Sequence, residues 1–426
     1  MHFYFIGIKG TGMSSLANIL VDLGHKVSGA DYNKKYFTEA TFRKEIIVED
    51  FENCILNESY FYIIGNAFKV FDLTNEIKEK KYQYAFYSEF IEEFFKMGKI
   101  GVCGSHGKTT TTSFTSQLIG KKINALIGDG SGFGNKDSEY LLLEACEYQN
   151  NFLKYTYDYL VILNIDYDHP DFFKNNNEYL YAFMKASLQS KIVIINYDDH
   201  NCRKIVHKNL ISFGFSNQAD IVLRLREDKL LIKIEGETYE IPLSFYGKHM
   251  AYNLAAAFII AYFIDHDPVK TIKKVADLKL PARRFCEEKI KNNCVLVSDY
   301  AHHPTEIKAC IDSMRLKYPN HKVVVIYQGH THSRTATFLN EYVESLKNAD
   351  KVYIMPTFSS VRETDNDPLV LFHSCKDFSL YEESEIFNEI KNKNVVVGFL
   401  GAGDIYNEFI FLIKKVNYWK PFLYVL

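Results

Sequence analysis

The chain has 426 residues, of which 47% are hydrophobic and 24% are charged. At about 150 residues per domain this length predicts three domains, and the composition excludes collagen-like and disordered proteins. Fifty basic and 53 acidic residues leave a net charge of -3, which offers no general attraction to nucleic acid or to an anionic membrane. We therefore expect phosphate binding to be local, and we expect no nucleic-acid partner.

Cysteine usage and the apolar runs indicate the compartment. The eight cysteines are dispersed and form no Cys-x-x-Cys pair, which suits a reducing cytosol rather than a secreted disulfide framework. The segment Met1 to Ile6 has no basic region of the kind that begins a signal peptide. The longest apolar run, Leu254 to Ile264, is shorter than the roughly 20 residues that span a bilayer. It predicts a core helix, so we expect a cytoplasmic protein without membrane insertion.

Three times the chain shows an apolar run, a turn and then a helical pattern, which is typical of parallel α/β sheets. In chain order we predict strands at Phe3–Ile8, Val27–Asp31, Lys99–Val102, Tyr140–Glu144, Leu160–Asn164, Val295–Val297, Val323–Tyr327, Val352–Met355 and Val395–Leu400. We place domain boundaries near residues 97 and 280. The predicted domains are therefore residues 1–97, 98–280 and 281–426.

The first strand leads into the loop Gly7-x-x-Gly10-x-Gly12, with a helix predicted to begin near Met13. A helix amino terminus with Lys9 beside it favours a phosphate-bearing ligand, although a glycine turn is also used for packing alone. The spacing differs from Gly-x-Gly-x-x-Gly, so a diphosphate compound other than NAD is favoured over hydride chemistry. Asp31 closes the second strand, where dinucleotide-type folds contact a ribose.

The most specific motif is the loop of Gly104, Ser105, His106, Gly107, Lys108, Thr109 and Thr110. Its N–H groups can hold phosphate, Lys108 can reach the β- and γ-phosphate oxygens, and Thr109 can bind Mg²⁺. The loop is not a strict Walker A motif, because Val102 stands where glycine is usual. A preceding strand and a following helix nevertheless predict a nucleotide site, with ATP as the ligand.

Further candidate residues follow other strands. Glu144 and His169 could complete a Mg²⁺ site, since magnesium needs few protein ligands. The alternative is that Glu144 and Glu147 cap or solvate a turn while His169 bonds inside the core. The paired histidines at 302–303 and at 330 and 332 lack a nearby cysteine, and we do not expect zinc. Arg283 and its neighbour could bind phosphate or carboxylate, or form an exposed basic pair at a hinge.

The joint order of these motifs resembles the Mur ligase family of peptidoglycan synthesis over nearly the whole chain. The resemblance is carried by the segments 5–16, 104–110, 144–148, 164–170, 247–253, 283–285, 299–306, 330–335 and 401–405. It implies an α/β fold of three domains: an amino-terminal Rossmann-like domain for a UDP-sugar, a central P-loop ATPase with a mostly parallel sheet, and a carboxy-terminal Rossmann-like domain that closes over ATP and an amino acid.

The resemblance further implies that ATP phosphorylates the carboxylate of UDP-N-acetylmuramate, and that the amine of L-alanine attacks the acyl phosphate. The protein would act as a monomer or homodimer with ATP and Mg²⁺. Lys108 would bind the phosphates, Thr109 and Glu144 one Mg²⁺, and His169 a second metal. The other implied contacts are His249, Asn253 and Asp299 with the nucleoside of ATP; His302, His330 and Arg334 with the amino acid; and Gly10, Gly12, Met13, Ser14 and Asp31 with the UDP-sugar. Arg283 is a further candidate for substrate binding.

Other functions remain open from the sequence. Within the family, the chain could attach a preformed peptide to the same UDP-sugar, or add a later amino acid of the stem. From a different class, it could be a nucleotide-sensing module that has lost ligation. A P-loop ATPase that acts on nucleic acid does not fit the net charge.

Overall fold

The computed structural model describes residues 1–32, 36–290, 293–358, 375 and 377–419. They form three α/β domains, each built on one mostly parallel sheet. The chain divides into two compact units. The first consists of Met1–Asp166, Asn176–Ser244 and Tyr252–Lys279, and the second of Tyr167–Asn175, Phe245–Ala251 and Leu280–Leu426.

The first domain has a five-stranded parallel sheet in the order β3-β2-β1-β4-β5, which is the order of a dinucleotide-binding fold. Its elements are β1 (His2–Ile6), α1 (Thr11–Asp22), β2 (Lys26–Asp31), β3 (Ile47–Asp50), β4 (Phe61–Ile64), α2 (Asp72–Glu79), β5 (Tyr84–Phe86) and α3 (Tyr87–Phe94), with 3-10 helices at Phe37–Thr41, Phe51–Asn53 and Asn66–Phe68. The first strand ends earlier than predicted because Gly7, at φ +85°, turns the chain.

The second domain has a nine-stranded sheet in the order β14-β13-β12-β11-β10-β9-β6-β8-β7. Its pairs are parallel except β12–β13 and β13–β14. Its elements are β6 (Gly98–Cys103), α4 (Lys108–Ile119), β7 (Ile123–Leu126), β8 (Tyr140–Glu144), β9 (Tyr157–Ile162), α5 (Asn176–Leu188), β10 (Ser190–Asn196), β11 (Leu210–Gly214), β12 (Ile221–Arg226), β13 (Lys229–Ile234), β14 (Glu237–Pro242), α6 (Lys248–Asp265) and α7 (Pro268–Val275), with 3-10 helices at Gly120–Lys122, Tyr148–Lys154 and Cys202–Lys204.

The strand order explains how this domain gathers polar groups. Because β6 lies between β8 and β9, the loop after β6 has the end of β8 on one side and the end of β9 on the other. The apolar run at 254–264 lies within α6 and is buried over most of its length, as predicted for a core helix. Among the helices of the described residues, none is long and apolar enough to cross a membrane.

The third domain has a six-stranded sheet in the order β15-β16-β20-β17-β18-β19, parallel except for β15. Its elements are β15 (Cys286–Ile290), β16 (Cys294–Asp299), α8 (Pro304–Lys317), β17 (Lys322–His330), α9 (His332–Thr337), α10 (Leu339–Leu346), β18 (Lys351–Phe358), β19 (Phe378–Leu380), α11 (Glu383–Lys391), β20 (Val395–Leu400) and α12 (Ile405–Trp419). Alternate residues of β17 enter two separate cores: Val323 and Val325 pack with α8 and α10, and Val324 and Ile326 with α11 and α12. Both faces of the sheet are therefore covered by helices.

The first and second domains pack together through a segment with glycine at every second position, Gly128 to Gly134. A Cβ atom at Gly132 would lie 2.2 Å from the carbonyl oxygen of Ser15, and one at Gly134 would lie 2.7 Å from that of Ile19. Both carbonyls belong to α1. The backbone of this segment therefore approaches the helix more closely than any residue with a side chain would allow.

Side chains of the first domain hold the same segment by hydrogen bonds. Asn18 donates to the carbonyl of Gly130 at 3.1 Å, and Arg43 donates to that of Gly132 at 3.1 Å. Asp22 accepts the N–H of Gly134 at 3.0 Å and also pairs with Arg43 at 2.8 Å. The helix α1 is thus fixed, from Ser15 to Asp22, relative to the loop that follows β7.

We expect Gly132→Ala to lower the free energy of unfolding by about 1–3 kcal/mol, because overpacking against a helix backbone forces local shifts. Urea unfolding measures this loss. The control is Gly10→Ala, where the new Cβ would have its nearest neighbour at 3.5 Å. Equal stability of the two variants would contradict the close packing at residue 132.

Candidate functional site

The loop after β6 has the backbone of a phosphate-binding loop. Gly104 and Gly107 have φ values of +135° and +85°, and α4 begins directly afterwards at Lys108. The first N–H groups of a helix lack partners within the helix and form an anion-binding site. A Cβ atom at Gly107 would lie 2.4 Å from Oδ1 of Asn253, so the structure places this predicted nucleoside contact against the loop.

Asn164, two residues after the end of β9, holds this loop in place. Its Oδ1 accepts the N–H of His106 at 2.9 Å, and its Nδ2 donates to the carbonyl of the same residue at 3.0 Å. Its own carbonyl accepts the N–H of Ser105 at 3.2 Å. Asp166 adds a contact of 3.0 Å between its Oδ2 and Nε2 of His106. These contacts fix the loop before any ligand binds.

Lys108 is paired with a carboxylate that the sequence analysis did not assign to the site. Its Nζ lies 3.0 and 3.1 Å from the two carboxylate oxygens of Glu147 and donates to the carbonyl of Gly104 at 2.5 Å. Glu147 is 1% exposed, so it does not solvate a turn. Burial alone would lower the pKa of Lys108, but the charge of Glu147 outweighs it and raises that pKa. The ammonium group therefore stays charged across the physiological range.

The two residues predicted to bind one Mg²⁺ lie at or beyond the ends of adjacent strands. Glu144 ends β8, and its Oε1 accepts the N–H of Gly128 at 2.7 Å. Thr109 lies in the first turn of α4, after β6, which pairs with β8. A carboxylate and a hydroxyl are hard oxygen donors, which fit Mg²⁺ together with phosphate oxygens and water.

The glycine loop between β1 and α1 is the second candidate phosphate-binding loop of the first unit. Gly10, Gly12, Met13 and Ser14 lie together at the start of α1, which begins at Thr11, two residues before the predicted Met13. Asp31 accepts the N–H of Lys9 at 2.8 Å, so its carboxylate is tied to the same loop. The ammonium of Lys9 contacts Glu39 at 3.1 Å, and its side chain is buried rather than extended towards solvent.

In the second unit, Arg334 is engaged by Asp168. The distances are 2.8 Å from Nε to Oδ1 and 3.3 Å from Nη2 to Oδ2, and both side chains are 6% exposed or less. Burial would raise the pKa of Asp168, but the guanidinium of Arg334, aided by His169, lowers it well below its ordinary value. The ring Nδ1 of His169 lies 3.4 Å from Nη2 of Arg334. The structure therefore brings these two predicted residues together through a third, Asp168, that the sequence analysis did not single out.

The two histidines predicted to face the amino acid, His302 and His330, are also neighbours. The ring of His302 lies 6.0 Å from that of His330, which stacks on Phe358 at 5.6 Å. Nδ1 of His302 lies 3.2 Å from Glu306 and 3.0 Å from the carbonyl of Tyr300. These contacts orient the ring of His302.

Arg283 is buried, so it is not part of an exposed hinge pair. It is 4% exposed and donates to the carbonyls of Gly401 and Gly403 at 3.3 and 2.9 Å. Its guanidinium carbon lies 4.8 Å from the ring centre of Tyr300 and 5.4 Å from that of Tyr406. In this arrangement the side chain holds the loop after β20.

The two remaining predicted nucleoside contacts are both partly buried. Asp299 accepts the N–H groups of Phe285 and Ala301 at 2.8 Å each, and burial raises its pKa. Burial lowers the pKa of His249 to about 4, so its imidazole is neutral at neutral pH.

The fold and the loop geometry together define a P-loop α/β protein of three domains. The sequence matches the Mur ligase family, catalytic domain, over residues 2–99, the Mur ligase middle domain over residues 102–261, and the Mur ligase, glutamate ligase domain, over residues 283–381. The chain belongs to the Mur ligase family, whose members are ATP-dependent, amide-forming ligases of peptidoglycan precursor synthesis.

Solved structures share this fold from end to end. A UDP-N-acetylmuramate-alanine ligase from Thermotoga maritima is similar with a TM-score of 0.80 at 21% identity, covering 99% of this chain and 100% of that one. A murein peptide ligase from Psychrobacter arcticus is similar with a TM-score of 0.72 at 18% identity, covering 98% of each chain. A MurF ligase from Thermotoga maritima in complex with ADP is similar with a TM-score of 0.61 at 18% identity, covering 97% and 95%.

We expect Asn164→Ala to weaken ADP binding by up to about 30-fold, because two hydrogen bonds of about 1 kcal/mol each no longer hold the loop. Isothermal titration calorimetry measures the Kd. The control is Asn201→Ala, which removes a hydrogen bond of 2.8 Å to the carbonyl of Ile165, a residue outside the loop. An unchanged Kd for Asn164→Ala, or an equal loss in the control, would contradict the role of Asn164.

We expect Asp168→Asn to lower the free energy of unfolding by about 3–5 kcal/mol, because it leaves the Arg334 charge buried without its partner. The folded-state pKa of Asp168 is lowered, so the pair contributes fully above the unfolded pKa of about 3.9 and loses that contribution as the pH falls through the folded value. Denaturant unfolding from about pH 5 to pH 8 should therefore show a constant difference from the wild type, and the difference should shrink below about pH 5.

The control for this pair is Asp312→Asn, which removes an exposed ion pair of 2.6 Å with Lys308. Its expected cost is below about 0.5 kcal/mol. If Asp168→Asn costs no more than the control, the buried pair does not stabilise the second unit.

Proposed function

We propose that this ligase joins L-alanine to the carboxylate of UDP-N-acetylmuramate, with hydrolysis of ATP to ADP and phosphate. The phosphoryl-transfer part rests on the loop at Gly104, with a half-buried, charged Lys108 beside it and Glu144 at the end of the adjacent strand. The choice of substrates is supported by the order of the motifs and by the fold shared with a UDP-N-acetylmuramate-alanine ligase.

The loop N–H groups from residue 104 to residue 110 bind the phosphates in this proposal, and Lys108 exchanges Glu147 for the β- and γ-phosphate oxygens. Thr109 and Glu144 would hold one Mg²⁺, which supplies charge neutralisation when bound, and His169 would serve a second. His249, Asn253 and Asp299 are the proposed contacts of the nucleoside.

Activation of the carboxylate follows from elementary chemistry. A carboxylate oxygen is a poor leaving group at neutral pH, whereas a phosphate is a good one. Transfer of the γ-phosphoryl group to the muramoyl carboxylate gives an acyl phosphate, and attack by the alanine amine then forms the amide and releases phosphate. The protein contributes positioning and charge neutralisation.

At the amino-acid end we propose that His302 and His330 face the incoming amine. Either His302 or a phosphate oxygen of the intermediate accepts the amine proton. Arg334 is already paired with the carboxylate of Asp168. To bind the carboxylate of alanine, its guanidinium would either contact both carboxylates or exchange Asp168 for alanine. At the other end, Gly10, Gly12, Met13, Ser14 and Asp31 bind the UDP-sugar. Arg283, which holds the loop after β20 in the second unit, is a further proposed substrate-binding residue.

A second candidate function is the attachment of a preformed peptide to the same UDP-sugar. It is supported by the fold shared with a murein peptide ligase. Phosphate release is measured with ATP, Mg²⁺ and UDP-N-acetylmuramate, with L-alanine or a tripeptide as the acceptor. We expect release with L-alanine and a product whose mass has grown by one alanine residue; release with the tripeptide alone would favour the second candidate.

We expect Lys108→Ala to reduce alanine-dependent phosphate release by about 100-fold or more, because a preorganised cation at the transferred phosphoryl group is lost. The matched control is Lys121→Ala, which removes an exposed lysine just beyond the other end of α4. Full activity of Lys108→Ala would refute the assignment of the loop to phosphoryl transfer.

A further inference from the structure

Tyr87, the first residue of α3, lies against the amino-terminal glycine loop. If Gly12 carried a Cβ atom, it would lie 2.7 Å from the Tyr87 hydroxyl oxygen and 3.0 Å from the ring carbon that bears it. Tyr87 is half-buried, and among the described residues its hydroxyl makes no hydrogen bond and is not shielded from water or a ligand. Glycine at position 12 therefore leaves the space in which the hydroxyl sits.

The hydroxyl faces a helix start that carries no cap from the protein. The residue before α1, Gly10, makes no side-chain cap, and the first turn of the helix has no acidic residue. Such a helix start offers N–H donors and a positive dipole end to an anion. A helix start without a side-chain cap and a hydroxyl without a hydrogen bond to the described residues thus lie side by side at Gly12.

The hydroxyl is also able to donate a hydrogen bond. Burial, followed by the negative charge of Glu144, raises the pKa of Tyr87 above its ordinary value. The phenol therefore keeps its proton at neutral pH. A group that keeps its proton beside a positive helix end complements an acceptor that carries negative charge, and a phosphate oxygen is such an acceptor.

We propose that the Tyr87 hydroxyl donates a hydrogen bond to a phosphate oxygen of the UDP-sugar diphosphate bound at the start of α1. This assignment rests on the proposed function, since it takes the UDP-sugar as the ligand. Tyr87 and Gly12 act as a matched pair, because any side chain at residue 12 displaces the hydroxyl. Tyr87 lies outside every motif that carries the resemblance described above.

The test is Tyr87→Phe, which keeps the ring and removes only the hydroxyl. We expect the Kd of UDP and of UDP-N-acetylmuramate to rise roughly tenfold, as for a hydrogen bond to a charged group. The Kd of ADP, which occupies the other loop, stays unchanged. The control is Tyr84→Phe, which removes a hydroxyl from a more exposed residue, 38% exposed, in the adjoining strand β5.

Failure of the Tyr87 assignment can be distinguished from failure of the proposed function. If the wild type binds and uses the UDP-sugar and Tyr87→Phe binds UDP equally well, the assignment is wrong while the proposed function stands. If only UDP-N-acetylmuramate binds more weakly, the hydroxyl contacts the sugar and the diphosphate assignment is overturned. If the wild type binds neither UDP compound, the proposed function fails first.

A second variant keeps the test decisive if Tyr87→Phe unfolds. Gly12→Ala would place its Cβ atom on the hydroxyl and is expected to weaken UDP binding by at least as much. In the double variant, removal of the hydroxyl relieves that overlap, so we expect the two effects to be non-additive. Additive losses would contradict a direct contact between the two residues.

Discussion

The close approach of the glycine segment 128–134 to α1 is the constraint on which the first unit depends. At one end of the segment, the N–H of Gly128 is bonded to Glu144, the candidate metal ligand. Further along, Gly130 is bonded to Asn18 of α1, the helix whose start forms the predicted sugar-binding loop. The same short stretch of backbone therefore fixes two parts of the site. Only glycine permits this, because a Cβ atom would separate the two backbones.

Each unit has an ion pair, largely shielded from water, that keeps a predicted site residue charged and in place before any substrate binds. Lys108 with Glu147 and Arg334 with Asp168 are each held at about hydrogen-bond distance with little exposure to water. Such pairs add little net stability, since desolvation offsets much of the attraction, but the loss of one partner is costly. In the P-loop, a phosphate group can replace Glu147 as the anion beside Lys108. The charge of Lys108 then stays compensated, whereas the buried carboxylate of Glu147 loses its cation and requires another positive group.

The polar residues that follow strands were the part of the candidate site that could be predicted from the sequence. The pattern of an apolar run followed by a polar turn identified Gly104, Glu144 and Asp299, because parallel strands collect their carboxyl ends at one edge. The strands at these positions and their parallel pairing are confirmed by the structure. The Mur ligase family is confirmed by the three matched domains.

The partners of these residues could not be predicted, because they depend on tertiary contacts. Glu147 pairs with a lysine 39 positions earlier, and Asp168 pairs with an arginine 166 positions later. No periodicity links residues at such separations. Arg283 illustrates the same limit, since a basic pair after a proline indicates either an exposed hinge or an anion site, whereas the structure buries this guanidinium against two tyrosine rings.

The central claim is that the muramoyl carboxylate is activated by phosphorylation at the loop that holds Lys108. The most direct measurement uses UDP-N-acetylmuramate with oxygen-18 in its carboxylate, and analyses the phosphate released during ligation by mass spectrometry. An acyl-phosphate route transfers one labelled oxygen to each phosphate released, because the bond between carboxyl carbon and bridging oxygen breaks when the amine attacks. Phosphate that carries no label, released together with the amide product, would contradict the account.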